Sequence, residues 1–442
     1  MSRNALTVTI VGAGSTRTPA LIGSLINYKE RFPLKKLILF DIDKNRIDIQ
    51  KDYIRLTMEK YCPDVELIFT DDEEQAYQDM DYAFVQMRVG GFKMRSYDEK
   101  IPLKHGLIGQ ETCGPGGFAY GMRSIKPMIH MVNKIREYNK EAWILNYTNP
   151  AAIVGLALDK VFPDDKKIMN ICDQPYSMIK SFAKILEVDM YDIEPRYFGL
   201  NHFGWFTKLI YTPTGEDLLP KLKNYLLEHE FKPFNAEQRD KSWLDTYKNV
   251  NRMLSHFPDY LPNTYLQYYF YGDELVKASN PGFTRADEAT QGREKQVLDL
   301  CALAKEQQSL DNIPLLIGEV HGNMMVEVAE SIAFDLKKVF IVMGRNKGII
   351  SNLPDDAFVE VAGELSKNGA ELYPYGEIET FYQGLIEGQY AYEKLTVESC
   401  LESSYKKALE ALTINRAVVN PDKAKAVLDD LMEVNKEYWY LK

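Results

Sequence analysis

The 442-residue sequence predicts an α/β protein, a Rossmann-type doubly wound sheet followed by a second, mixed α+β domain. Three observations carry that expectation. Short, β-branched apolar runs alternate with longer amphipathic patterns through the first half, as βαβ units require. The first of these runs ends in a glycine-containing turn. After about residue 195 the alternation gives way to an aromatic, β-rich stretch.

Taken in order, the strands of the first domain are Leu6–Val11, 36–40, 65–70, 82–87, 143–147 and 167–171. Between the second and third, Lys44–Tyr61 places Ile47, Ile49, Ile54, Leu56 and Met58 where an amphipathic helix suits them better than a strand. The stretch 196–212 runs into Pro213 and Gly215, where a hairpin or sheet edge is expected. Beyond it, 324–336, 391–411 and 422–438 read as helices, 339–343 as a buried strand and 358–362 as strand-like. The expected domains are 1–195, binding a dinucleotide, and 196–442, serving substrate, metal and oligomerisation. No repeat or Pro/Ser-rich linker separates them, so they are expected to pack together.

Composition narrows the function. With 45% hydrophobic and 26% charged residues the chain has material for a core, which excludes fibrous and globally disordered classes. A net charge of -11 repels phosphate backbones and acidic membrane surfaces, so neither nucleic acid nor membrane is an expected partner. The longest mostly apolar runs, 5–11 and 339–343, fall far short of the roughly 20 residues of a spanning helix. The N-terminus lacks a signal-peptide pattern, and five scattered cysteines suit a reducing compartment. A cytoplasmic location is expected.

The turn after the first strand reads Gly12-Ala13-Gly14-Ser15-Thr16, with Pro19 at the expected first helical position. Such a turn lets backbone N–H groups approach a pyrophosphate at a helix N-terminus. Arg17 occupies the place of the usual third glycine, and a plain turn is the competing reading. Asp41, at the end of the second strand, is placed to accept hydrogen bonds from an adenosine ribose, favouring NAD over NADP.

Three blocks fall beyond strand ends or in the first segment of the new domain: Asn146-Tyr147-Thr148-Asn149-Pro150, Cys172-Asp173-Gln174-Pro175 and Asn201-His202-Phe203-Gly204-Trp205. A thiolate from Cys172 and an imidazole from His202 meeting at the domain interface would not close a structural zinc site. They would suffice for a divalent ion completed by substrate oxygens or water. Read singly, Cys172 is a small buried hydrophobe and His202 a core histidine.

With these blocks stand Gly109-Gln110-Glu111-Thr112, Gly114-Pro115-Gly116-Gly117 and Pro262-Asn263-Thr264-Tyr265-Leu266-Gln267-Tyr268-Tyr269. Together the motifs make the whole chain resemble glycoside hydrolase family 4, the NAD- and metal-dependent glycosidases that break glycosidic bonds by redox-assisted elimination and addition. The resemblance implies NAD+ taking hydride from carbon 3 of a phosphorylated glucose, and manganese or another divalent ion on oxygens 2 and 3. It implies Cys172 and His202 as metal ligands, Tyr265 as base for the carbon 2 proton and Asp173 as acid for the departing oxygen. Positive charge near Tyr265, from the metal and Arg285, is expected to make that phenol a base. Asp173 is expected to hold its proton through burial or a neighbour such as Glu111, its competing role being a helix N-cap.

Asn149 matches the family's sugar-hydroxyl ligand, while also belonging to an Asn-Pro turn. Arg95 is the chosen phosphate ligand, with Arg88 and Lys93 as alternatives, and Glu111 and Arg285 are expected to serve substrate binding as well. Glu360 is a weaker candidate. Cys-Asp-Met-Pro accompanies 6-phospho-α-glucoside hydrolysis in the family and Cys-Asn-x-Pro the β-linked substrates. This chain keeps the aspartate and departs at Gln174. The expected substrate is therefore a phosphorylated disaccharide of the maltose-6'-phosphate type. Alternatives are the β-anomer, an ordinary NAD-dependent dehydrogenase and a catalytically silent NAD-binding regulator. The family also implies homodimers or homotetramers.

Overall fold

The computed structural model describes residues 3–238, 241–318 and 320–442. Six strands, β1 (Leu6–Val11), β2 (Leu34–Phe40), β3 (Glu66–Thr70), β4 (Tyr82–Val85), β5 (Trp143–Asn146) and β6 (Ile168–Asn170), pair in parallel in the order β3-β2-β1-β4-β5-β6. This is the doubly wound order, with its reversal between β1 and β4. Val8, Ile10, Val11, Phe84 and Val85 at that reversal are fully buried, because helices cover both faces and leave no polar side to alternate. The helix Lys44–Tyr61 has the bounds its periodicity predicts, and starts at Asp43, whose carboxylate accepts from the Asn45 N–H.

The second sheet is antiparallel: β7 (Ile193–Leu200), β8 (Phe203–Tyr211), β9 (Glu216–Asp217) and β10 (Leu261–Pro262). Its turn after β8 contains the predicted Pro213 and Gly215. The tighter turn between β7 and β8 is made by Asn201 and His202, the latter at φ +62°. Aromatic rings fill the space behind this hairpin, Phe182 packing edge-on to Phe206 at 5.1 Å and Phe206 to Tyr197 at 4.8 Å.

The remaining strands, β11 (Lys338–Arg345), β12 (Phe358–Ser366) and β13 (Gly369–Leu372), do not form a sheet of their own. They extend the first sheet beyond β6 in antiparallel pairing, so that it has nine strands drawn from both sides of residue 195. The predicted helix 391–411 is two helices, Thr380–Glu402 and Tyr405–Ile414. Ser403 takes a left-handed conformation (φ +55°) and Ser404 caps the new helix by accepting from the Lys407 N–H, which ends one helix and starts the next. No helix among the described residues is long and apolar enough to cross a membrane.

One buried ion pair fixes the helix that carries Arg95. Within Gly91–Lys104, Asp98 receives both Nη1 (2.8 Å) and Nη2 of Arg123 from the helix Gly114–Tyr138, and Arg123 Nη1 also donates to Asn435 Oδ1 of the helix Pro421–Asn435 at 2.8 Å. Both charged side chains are 1% exposed. Removing one partner strands the other in the core. Asp98→Ala should therefore cost about 3–5 kcal/mol of unfolding free energy, read as a lower urea midpoint. A loss below about 1 kcal/mol would mean that the pair is not the anchor its geometry indicates.

Candidate active site

The loop from β1 to the helix Thr18–Asn27 folds back on β2, with the Gly12 and Ala13 amides both donating to Phe40 O at 3.0 Å. Gly12 has φ +83°. A Cβ on Gly14 would stand 2.6 Å from Arg46 Cβ and 2.9 Å from Asp41 Oδ2, so only glycine fits where the Gly14 N–H donates to Asp41 Oδ2 at 2.8 Å. Asp41 Oδ1 accepts from the Asp43 N–H at 2.9 Å. Ser15 Oγ accepts from the Arg17 N–H at 3.2 Å, Thr16 is buried, and Pro19 takes the second helical position. The loop is thus braced from below, and the helix that follows offers its N-terminus to an anion.

Cys172, just after β6, and His202, in the β7–β8 turn, come together: Sγ lies 3.4 Å from Nε2, both residues buried. At that separation both donor atoms would be able to reach one cation. Burial holds the His202 imidazole neutral, its pKa lowered to about 3, which leaves a lone pair for a metal. Burial, then the charges of Glu360 and Asp173, push the Cys172 thiol well up, so ligation as thiolate needs a cation beside it. Among the described residues no group of three or more His, Cys, Asp or Glu could hold a metal. The pair fits an ion with open positions and does not fit a closed structural site.

The Tyr265 ring stacks on His202 with centroids 3.9 Å apart and planes 14° from parallel. It sits in the short turn Thr264–Leu266, where its own N–H donates to Asn263 Oδ1 at 3.0 Å. Asn263, fully buried, also donates from Nδ2 to Tyr197 OH at 3.2 Å. Burial, and then Tyr268 and Cys172, raise the Tyr265 phenol well above its ordinary range. Arg285 is found beside Trp243, whose ring meets that of Tyr265 edge-on at 6.4 Å. It bonds Ser242 Oγ, its guanidinium lies 5.6 Å from the Trp243 ring, and its charge is felt at Tyr268, one ring further on.

Asp173 is the first residue of the helix Asp173–Leu186, with Cys172 at the cap position and no side-chain cap bond, so the N-cap role falls away. Its charge acts on the buried Tyr147, whose ring meets His321 edge-on at 3.9 Å. Asn149, half-buried, follows β5 and precedes Pro150 through a cis peptide bond. Glu360, on β12, is fully buried beside the metal pair, and Asn201 Nδ2 donates to its Oε1 at 2.9 Å. Burial raises that carboxyl to about 8.

Arg95 is buried, tied by Nε to Glu99 Oε1 at 2.8 Å and lying 3.3 Å from Glu111 Oε2. Arg88 Nη1 donates to the same Glu111 oxygen at 2.6 Å, while Lys93 is exposed. Burial alone would raise the Glu111 carboxyl, but Arg88, Arg95 and Arg17 hold it well below the usual carboxylate range. Sequence reasoning missed two members of this group. Arg17 was visible as the residue displacing a glycine, and Arg293, in the π-turn Thr290–Glu294, belongs to no recognisable motif. Gln174, visible only as a departure from a motif, donates from Nε2 to Thr264 Oγ1 at 2.5 Å and so ties the Cys172 segment to the Tyr265 turn.

Residues 7–188 match Family 4 glycosyl hydrolase and residues 197–418 the Family 4 glycosyl hydrolase C-terminal domain. The phospho-alpha-glucosidase PagL of Clostridium acetobutylicum is 45% identical over 98% of this chain and 98% of its own. A solved 6-phospho-alpha-glucosidase from gut microorganisms, in complex with NAD and Mn2+, is 47% identical, covers 99% of this chain and 100% of its own, and superposes with a TM-score of 0.98. A second from gut microorganisms, in complex with NAD and glucose-6-phosphate, is 42% identical over the same shares, with a TM-score of 0.95.

The Gln174–Thr264 bond generates a double-mutant test. Gln174→Met conserves volume but leaves the buried Thr264 hydroxyl unpaired, and should lower stability by about 1–3 kcal/mol in urea unfolding. Adding Thr264→Val should restore most of that loss, whereas additive costs would show that the bond does not couple the two segments.

Proposed function

The chain belongs to family 4 of the glycosyl hydrolases, and from that premise we propose that it hydrolyses 6-phospho-α-D-glucosides of the maltose-6'-phosphate type, using NAD+ and a divalent ion such as manganese. The observation that carries the proposal is the stack of Cys172, His202 and Tyr265 beside Asp173, across from a glycine loop built for a pyrophosphate. Asp173, directly after the thiol, is the feature that favours the α-linked substrate. A cytoplasmic location and a homodimeric or homotetrameric assembly are part of the same reading.

Bound at the glycine loop and at Cys172 with His202, the two groups supply reversible oxidation at carbon 3 and Lewis acidity at oxygens 2 and 3. The remaining work falls to side chains. Arg95, held straight by Glu99 and Glu111, receives the 6-phosphate, with Arg88 on the same carboxylate oxygen. Asn149 receives a sugar hydroxyl. Tyr265, fixed against His202, takes the proton from carbon 2, and Asp173 gives one to the departing glycosidic oxygen, so that the bond to the aglycone breaks by elimination. Water then adds to carbon 1, giving up its proton to Asp173, and Tyr265 returns the proton to carbon 2. With the sugar reduced again at the end, the reaction would leave no net oxidation, which separates it from that of a dehydrogenase.

Paired α- and β-linked nitrophenyl glucoside 6-phosphates, with NAD+ and manganese supplied or withheld, test the reading. The α-anomer should be cleaved, only with both additives and without net NADH. Equal cleavage of either anomer without them would end the proposal. Deuterium on carbon 2 should wash into solvent during turnover. Asp173→Asn should lose about 10²–10⁴ in rate on poor leaving groups and far less on activated ones. Uniform rates across leaving groups would remove Asp173 as the acid.

A further inference from the structure

Arg88 and Arg95 contact Glu111, the charge of Arg17 acts on the same carboxylate, and Arg293 feels the charges of Arg17, Arg95, Glu111 and Arg88. Glu111 and Glu99 answer Arg88 and Arg95 at 2.6, 3.3 and 2.8 Å. Among the described residues, the side chains of Arg17 and Arg293 have no carboxylate partner. Arg293 and Arg17 both keep solvent-exposed surface, Arg293 the more, while protein crowds the inner side of the Arg293 guanidinium.

Arg293 is held there by the fold. It sits in the π-turn Thr290–Glu294, a wide turn of the kind found at functional sites. The next residue, Glu294, pairs through Oε1 with Arg46 Nη2 at 3.2 Å, and Arg46 Nε donates to Gly14 O at 3.0 Å. Two bonds therefore tie the π-turn to the glycine loop, while Arg17 stands just before the helix that leaves that loop, with no side-chain cap bond. Like charges held together in this way oppose one another. The charge of Arg17, then burial and the charge of Arg95, bring the Arg293 guanidinium down to about 9, with Glu111 acting in the other direction. A ligand bearing two negative charges would relieve that opposition.

We propose that Arg17 and Arg293 form a clamp for phosphoryl oxygens entering between the glycine loop and the 290–294 turn. The clamp rests on the NAD- and phosphosugar-dependent reading above. That chemistry has two sources, the pyrophosphate of NAD+ and the 6-phosphate of the sugar, and the test separates them.

Arg17→Gln, Arg293→Gln, the double variant and Arg293→Lys are compared with wild type by calorimetric titration. One arm titrates NAD+ and the other titrates glucose 6-phosphate with NAD+ and manganese saturating. Thermal melts establish that each variant is folded, and Arg55→Gln, a half-buried change on the helix Lys44–Tyr61, serves as control. The double variant should bind at least one phosphoryl ligand tenfold or more weakly, with Arg293→Lys recovering part of the loss. Weakening of NAD+ alone assigns the clamp to the pyrophosphate, of glucose 6-phosphate alone to the sugar, and of both to a shared site. Affinities within twofold of wild type in both arms overturn the clamp. A wild type that binds neither ligand overturns the reading beneath it instead.

Discussion

The 3.4 Å approach of Cys172 Sγ to His202 Nε2 is the point at which two sheets of different origin are obliged to meet. The thiol comes from the last parallel strand of the doubly wound sheet, and the imidazole from the tip of an antiparallel hairpin behind which aromatic rings are packed. Neither residue alone defines a site. Their distance is set by the seating of the hairpin on the carboxyl edge of the first sheet, and Tyr265 inherits its position by stacking on His202. Asn263 and Gln174 make that inheritance rigid, one bracing the turn around Tyr265 and the other joining it to the segment after β6.

Electrostatics divides the site into two territories. Around the Cys172–His202 pair the protein is dry, and burial favours neutral forms: the imidazole without its extra proton, the thiol and the phenol with theirs. These groups need cationic help to ionise, and Arg285 lies against Trp243 and Ser242 with its charge acting on Tyr268. A few residues away the balance is reversed. Arginines outnumber the carboxylates that answer them, and Glu111 is kept ionised by the guanidiniums around it. A ligand with a phosphoryl group at one end and sugar oxygens at the other is complementary to both territories at once.

The parallel half of the fold is legible in the sequence because its elements are short, strongly periodic and sequential. β1 and the helix Lys44–Tyr61 have their predicted bounds, and the glycine loop announces itself by residue type. The break at Ser403 is written in side-chain capping rather than in periodicity, so 391–411 reads as one helix. The pairing of β11 with β6 is also invisible, since nothing local in 338–345 says which edge it will join. The same division holds in the site. Cys172, His202 and Tyr265 stand in recognisable blocks, whereas Arg293 reaches its place through Glu294, Arg46 and Gly14, a chain of contacts among segments far apart in sequence. Gln174 looks like a departure from a motif, and its reason, a hydroxyl on Thr264, lies ninety positions away.

Because β11 to β13 complete a sheet begun by β1 to β6, synthesis from the amino end imposes an interval of exposure. While the ribosome is still reading the middle of the message, β6 has one edge with free N–H and C=O groups, and Cys172 has no β12 alongside. Such an edge is a template for mispairing with another nascent chain. The late arrival of Lys338–Arg345 closes it, which makes the carboxyl-terminal half a safeguard of the amino-terminal one during biogenesis.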